Sequence, residues 1–81
     1  MDSSIKIAFK NSFDKSLLSK INGVHAVIND EHGFKLTCDN NPAIREEIFA
    51  LAVQLNNPIM RLEPHAEDLE SIFRQLTTQA N

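Results

Sequence analysis

Between Ile5 and Phe9, apolar Ile5, Ile7 and Phe9 alternate with Lys6 and Ala8, the two-residue period of a strand with one buried face. Asn11-Ser12 then offers capping side chains, and Phe13, Leu17, Leu18 and Ile21 recur at near-helical spacing up to Gly23. Glycine suits the left-handed residue past a helix end. A short helix is therefore expected after the first strand. Val24, Ala26 and Ile28 alternate again, as do Phe34, Leu36 and Cys38 beyond the polar break Asp30-Glu31-His32-Gly33. This reads as a hairpin in which Gly33 takes a positive φ.

Asn40-Asn41-Pro42 has the form of an N-cap with proline in the first helical position, and Ile44, Ile48, Leu51, Ala52 and Leu55 make an apolar stripe behind it. This helix should stop at Asn56-Asn57-Pro58, since proline donates no amide hydrogen and disfavours helix just before it. Ile59 to Glu63 reads as a fourth strand ended by Pro64, with Met60 and Leu62 pointing inward. A last amphipathic helix, about residues 65–78, carries Leu69, Ile72, Phe73 and Leu76 on one side. Its Glu67, Asp68 and Glu70 favour the positive N-terminal end, and Glu70 stands four before Arg74.

The predicted order is strand, helix, strand, strand, helix, strand, helix. Two right-handed crossovers joined by a hairpin give an α+β, ferredoxin-like βαββαβ sandwich: an antiparallel sheet with helices on one face, plus an extra C-terminal helix. The 81 residues suit a single domain, with its core at about 5–63. Two helices already cover one sheet face. A third must therefore pack at an edge, on the open face, or against another chain or domain.

Eight Lys and Arg against eleven Asp and Glu leave a net charge of -3, opposite to the basic footprint of most nucleic-acid binders. The face opposite the expected core carries Lys6, Ala8, Lys10, His25, Val27, Asn29, Lys35, Thr37, Arg61 and Glu63, with no aromatic ring on which a base could stack. All five Phe fall at inward or helix positions. Nucleic acid is not an expected partner. No apolar run approaches the ~20 residues that cross a bilayer, and the start Met1-Asp2-Ser3-Ser4 is unlike a signal peptide. A soluble, cytoplasmic chain is expected.

The only glycines, Gly23 and Gly33, fit neither a P-loop nor a dinucleotide fingerprint. Strand parity puts His25 and Cys38 on opposite faces, so surface histidines and a core cysteine are expected rather than a metal site. No serine sits in a nucleophile elbow, and the acid pairs Glu46-Glu47 and Glu67-Asp68 suit solvated helix flanks. No catalytic, cofactor-binding or metal residue is assigned.

The run Leu69-Glu70-Ser71-Ile72-Phe73-Arg74-Gln75-Leu76-Thr77 is more specific. It resembles the Leu-Glu-acidic-Val/Ile-Phe-x-x-Leu-Thr signature that closes the ATP-binding subunits of many bacterial ABC exporters, in the gliding-motility-associated and multidrug-export branches. Ser71 stands where that family commonly has an acid. Ile44 to Ala52 is similar to the helix those proteins carry before a short strand, here Ile59 to Leu62. Leu18, Ile21, Gly23 and Val24 are similar to their Leu-x-x-Ile/Leu-x-Gly-Val turn.

The resemblance implies a C-terminal accessory domain of such a subunit, non-catalytic and regulatory, with ATP and Mg held by the parent ATPase domain and no cofactor here. The implied partners are the nucleotide-binding domain of the same or a partner subunit, a second copy as homodimer, and indirectly the membrane permease subunit. This would place the chain peripherally at the inner membrane. Leu69, Ile72, Phe73 and Leu76 would supply apolar anchoring, with Glu70 and Thr77 beside them; internal packing is the competing role for the same residues. The alternative is a free-standing ferredoxin-like module that binds a small effector or self-associates.

Overall fold

In a computed structural model, which describes residues 2–66, the chain forms β1 (Asp2–Phe9), α1 (Lys15–Ser19), β2 (Val24–Asp30), β3 (Gly33–Asp39), α2 (Pro42–Gln54) and β4 (Ile59–Ala66). The fold is α+β. The strands make one sheet in the order β2-β3-β1-β4, every neighbouring pair antiparallel. β1 lies between β3 and β4, so the connection through α1 steps over β3 and the connection through α2 steps over β1. Residues 67–78 of the expected last helix, including Leu69, Glu70, Ile72, Phe73, Leu76 and Thr77, lie outside the described residues.

The core forms where the inward positions of the two central strands meet both helices. Ile5 and Ile7 of β1, Leu36 and Cys38 of β3, Leu18 and Ile21 of the α1 region, and Ile44 and Ile48 of α2 make one buried cluster. Each fully buried Ile or Leu contributes roughly 1.5–3 kcal/mol relative to exposure. Phe9, Phe13 and Phe34 close one end of this cluster, the Phe9 and Phe13 rings stacked 3.9 Å apart and Phe34 edge-on to Phe13 at 6.4 Å.

The two edge strands depart from simple alternation. Val24 pairs with Cys38 but Ala26 with Thr37, so His25 is an extra residue in β2. Such a bulge reverses the parity of everything after it. Val27, expected on the open face, therefore turns inward to pack on the cluster, while Ile28, expected inward, is 56% exposed. In β4, Phe9 pairs with Ile59 and Ala8 with Arg61, leaving Met60 as the extra residue. Ile59 takes the inward position beside Leu62, and Met60 is 66% exposed rather than buried.

Several boundaries also differ from expectation. β1 begins at Asp2, and β4 runs on through Pro64 to Ala66. A proline is tolerated there because β4 is an edge strand whose outward amide has no ladder partner to lose. α1 is capped by Asp14, whose carboxylate accepts from the Ser16 amide, and not by Asn11-Ser12. Gly23 has the expected positive φ of 96°, but Gly33 does not have one. Gly33 is required by space instead, since a Cβ would stand 2.9 Å from Ala8 Cα and closer still to the Ile7 carbonyl oxygen.

α2 starts as its sequence predicts, with the Asn41 side chain accepting from the Ala43 amide and Pro42 in the first turn. It ends in a Schellman motif: the Asn56 amide donates to the Val53 carbonyl and the Asn57 amide to the Ala52 carbonyl, with Asn56 at a φ of 52°. The turn delivers the Asn57 side chain to a buried position against the β1–α1 loop. There its Oδ1 accepts from the Asn11 amide at 2.9 Å, and its Nδ2 donates to the carbonyls of Asn11 at 3.1 Å and Ser12 at 3.2 Å.

Asn57→Ala removes these three bonds and leaves loop groups unpaired, so chemical denaturation should show a loss of about 2–4 kcal/mol. Gly33→Ala should cost about 1–3 kcal/mol in the same assay, because the new methyl meets backbone that cannot retreat.

Candidate protein-interaction surface

Both bulges act on what the sheet shows to solvent. On the open face, Ser4, Lys6 and Ala8 of β1 lie between Thr37 and Lys35 of β3 and His65, Glu63 and Arg61 of β4, and Ala26 and Ile28 border the far side. This row mixes charges of both signs. Arg61 donates to Glu63 at 2.9 Å, and that hydrogen bond, more than the charges of Arg61, Lys6 and His65, holds the Glu63 carboxyl below its ordinary range.

At one end of this face, Asp2 of β1 and Asp39 of β3 are paired across the strands, and His25 reaches them from the β2 bulge. One ligand atom of each lies within 4.8 Å of the others, and His25 Nε2 is 2.7 Å from Asp39 Oδ1. All three are exposed. The imidazole is thus already engaged by Asp39. Cys38 faces the other way, into the core, where Ser3 Oγ lies 3.7 Å from its sulfur and donates to the Cys38 and Asp39 carbonyls. His32 and His65 are exposed, as expected of surface histidines.

Among the described residues, the helical side exposes the large apolar side chains Phe49, Val53 and Leu55. Ile44, Ile48 and Ala52 turn inward, but Phe49 is 49% and Val53 81% exposed on the next stripe of α2. Phe49, Ala52 and Val53 form one wall of a groove of about 480 Å³, and Pro58 and Ile59 form the other. At the opposite end of α2, a more polar hollow of about 260 Å³ lies between its first turn and the end of β4. It is lined by Asn40, Asn41, Arg45 and His65 among others.

Phe49 was expected inside with the other phenylalanines. A signal against that stands in the sequence: Phe49 and Val53 are spaced i, i+4 and offset from Ile44-Ile48-Ala52, so α2 is apolar over a wider arc than one stripe. Among the described residues, no helix is long and apolar enough to cross a membrane.

No family model matches the chain, and no curated protein or solved structure is detectably similar to it.

Because Glu63 has a depressed pKa in the folded state, its pairing contributes stability above the unfolded-state pKa that is lost as pH falls through the folded one. Glu63→Gln should flatten this part of the acid limb in a series of thermal melts while leaving the neutral-pH fold intact.

Proposed function

We propose that the chain is a non-catalytic regulatory and interaction domain of an ABC exporter ATP-binding subunit. It packs on the ATPase domain or on its dimer mate, and its fold is a ferredoxin-like sandwich. The strand order β2-β3-β1-β4, with two connections that each step over a strand, supports the fold reading. The likeness of Leu69 to Thr77 to the closing signature of those subunits supports the family reading.

One observation carries the interaction role. Among the described residues, Phe49 and Val53 stand exposed on α2 and line an apolar groove with Pro58 and Ile59, a surface suited to packing on a partner domain. In this reading Leu69, Ile72, Phe73 and Leu76 anchor the partner, and Glu70 and Thr77 supply polar contacts beside them. ATP and Mg belong to the nucleotide-binding domain, with the permease engaged indirectly.

The alternative, a free-standing module for a small effector, has the polar hollow at Asn41, Arg45 and His65 in its favour. A ligand-specific thermal shift abolished by Arg45→Ala would favour it.

The transporter reading is tested by translating the source DNA in frame upstream of Ser3. A continuous frame encoding a P-loop ATPase domain is expected; a stop with no such frame overturns the assignment. In the whole subunit, Phe73→Ala should weaken subunit association while the melting of this domain stays nearly unchanged. A loss of about 3–5 kcal/mol in domain stability with association intact would instead place the ring in the domain's own core.

A further inference from the structure

Where β1 begins and β3 ends, three strands bring different metal-ligating side chains to the open face of the sheet. Asp2 stands directly opposite Asp39, and His25 enters from the bulge in β2. The member from β3 is Asp39 and not Cys38, whose thiol belongs to the core. One ligand atom from each of the three lies within 4.8 Å of the others. Oxygen and nitrogen ligands bound tetrahedrally to one zinc ion at about 2.0–2.2 Å stand ~3.4 Å apart, so small rotations of these exposed side chains suffice.

Two features besides proximity point to a cation. Like charges directly opposite in an antiparallel pair are destabilising. Elsewhere on this face Lys6 is opposite Lys35, but the Glu63 carboxylate faces Lys6 from β4 and offsets the pair. Asp2 and Asp39 have no such relief from a permanent cation: among the described residues, no Lys or Arg comes within 4.0 Å of either carboxylate.

The second feature is the fixed placement of Asp39. Its amide donates to the Gly23 carbonyl at 2.8 Å, and its Oδ2 lies 3.3 Å from where a Cβ on Gly23 would stand. The missing side chain of Gly23 thus leaves room for one carboxylate oxygen, while the other, Oδ1, faces His25 Nε2 at 2.7 Å.

We infer that Asp2, His25 and Asp39 form a binding site for a divalent transition-metal ion of the zinc type. The donor set decides the class. Calcium and magnesium favour shells made wholly of oxygen, and Cu(I) favours thiolate, whereas an imidazole with two carboxylates suits zinc. With its hydrogen on Nδ1, the His25 ring offers the Nε2 lone pair to the ion, which replaces the proton shared with Asp39. Three protein ligands leave a position for water or for a donor from outside. Because they come from β1, β2 and β3, the ion ties three strands together at one end of the sheet. The inference goes beyond the transporter reading and does not depend on it.

The full-length chain, freed of metal with a chelator, is titrated with Zn2+. One saturable equivalent is expected by calorimetry, and the ring-nitrogen resonances of His25 should move while those of His32 and His65 stay in place. The melting temperature should rise with Zn2+, the unfolding equilibrium shifting about 100-fold when the free ion stands at about 100 times its dissociation constant. Asp39→Asn and Asp2→Asn, which keep the side-chain shape, should each weaken binding at least about 10-fold, the least that even an outer-sphere partner costs. Absence of saturable binding, a response at His32 or His65 in place of His25, or unchanged affinity in both variants would overturn the inference. If Asp39→Asn does not fold, Asp2→Asn and the His25 signals of the unaltered chain decide. None of these results bears on the upstream-frame test of the transporter reading.

Discussion

A strand sends alternate side chains to opposite faces, so one inserted residue carries every later side chain across the sheet. This constraint governs the whole molecule, because both edge strands contain such an insertion. His25 in β2 turns Val27 into the core and Ile28 out of it. Met60 in β4 gives Ile59 the inward position and is itself turned out to solvent. The central strands β1 and β3 keep strict alternation, and they supply Ile7, Leu36 and Cys38, which are fully buried together with Leu18, Ile44 and Ile48 of the helical layer. Bulges at the edges also twist the unpaired backbone away from a flat template, which discourages pairing with another chain.

The Schellman turn after α2 belongs to the same economy. With Asn56 in the left-handed conformation, the chain reverses at once, and Asn57 is buried where three loop groups need a partner. The Lys10 amide also donates to the Pro58 carbonyl at 2.8 Å. The β1–α1 loop and the α2–β4 loop are thereby held as one unit. The groove wall formed by Pro58 and Ile59 is held by this unit, so its shape is set by hydrogen bonds, independently of whatever fills it.

Much of this was legible in the sequence. The order of the elements, the cap at Asn41-Pro42, the hairpin, and the inward positions of Ile5, Ile7, Leu36, Cys38, Ile44 and Ile48 follow from periodicity and turn chemistry. The bulges did not, because an extra His or Met has no composition that distinguishes it from a paired residue; only register against the neighbouring strand reveals it. Asp14 displaced Asn11-Ser12 as the cap because a carboxylate at that position reaches the Ser16 amide, while the Asn11 and Ser12 carbonyls are held by Asn57. The candidate site was legible in part: the apolar run at 69–76 is plain in the sequence, and the i, i+4 pair Phe49 and Val53, offset from Ile44 and Ile48, marks a second apolar flank of α2 whose exposure only the structure reveals.

The position of β1 has a further consequence for how the molecule comes into being. β1 precedes the other three strands of the sheet in the chain, yet it sits at the sheet's centre, and Ser3 pairs with Ala66. On the ribosome it can form a ladder with β3, but its other edge stays open until β4 has emerged. Closing that loop is entropically slow compared with forming the hairpin or α2. The nascent chain therefore passes through a stage in which one edge of β1 is bare, and the sheet is completed only once β4 has left the tunnel.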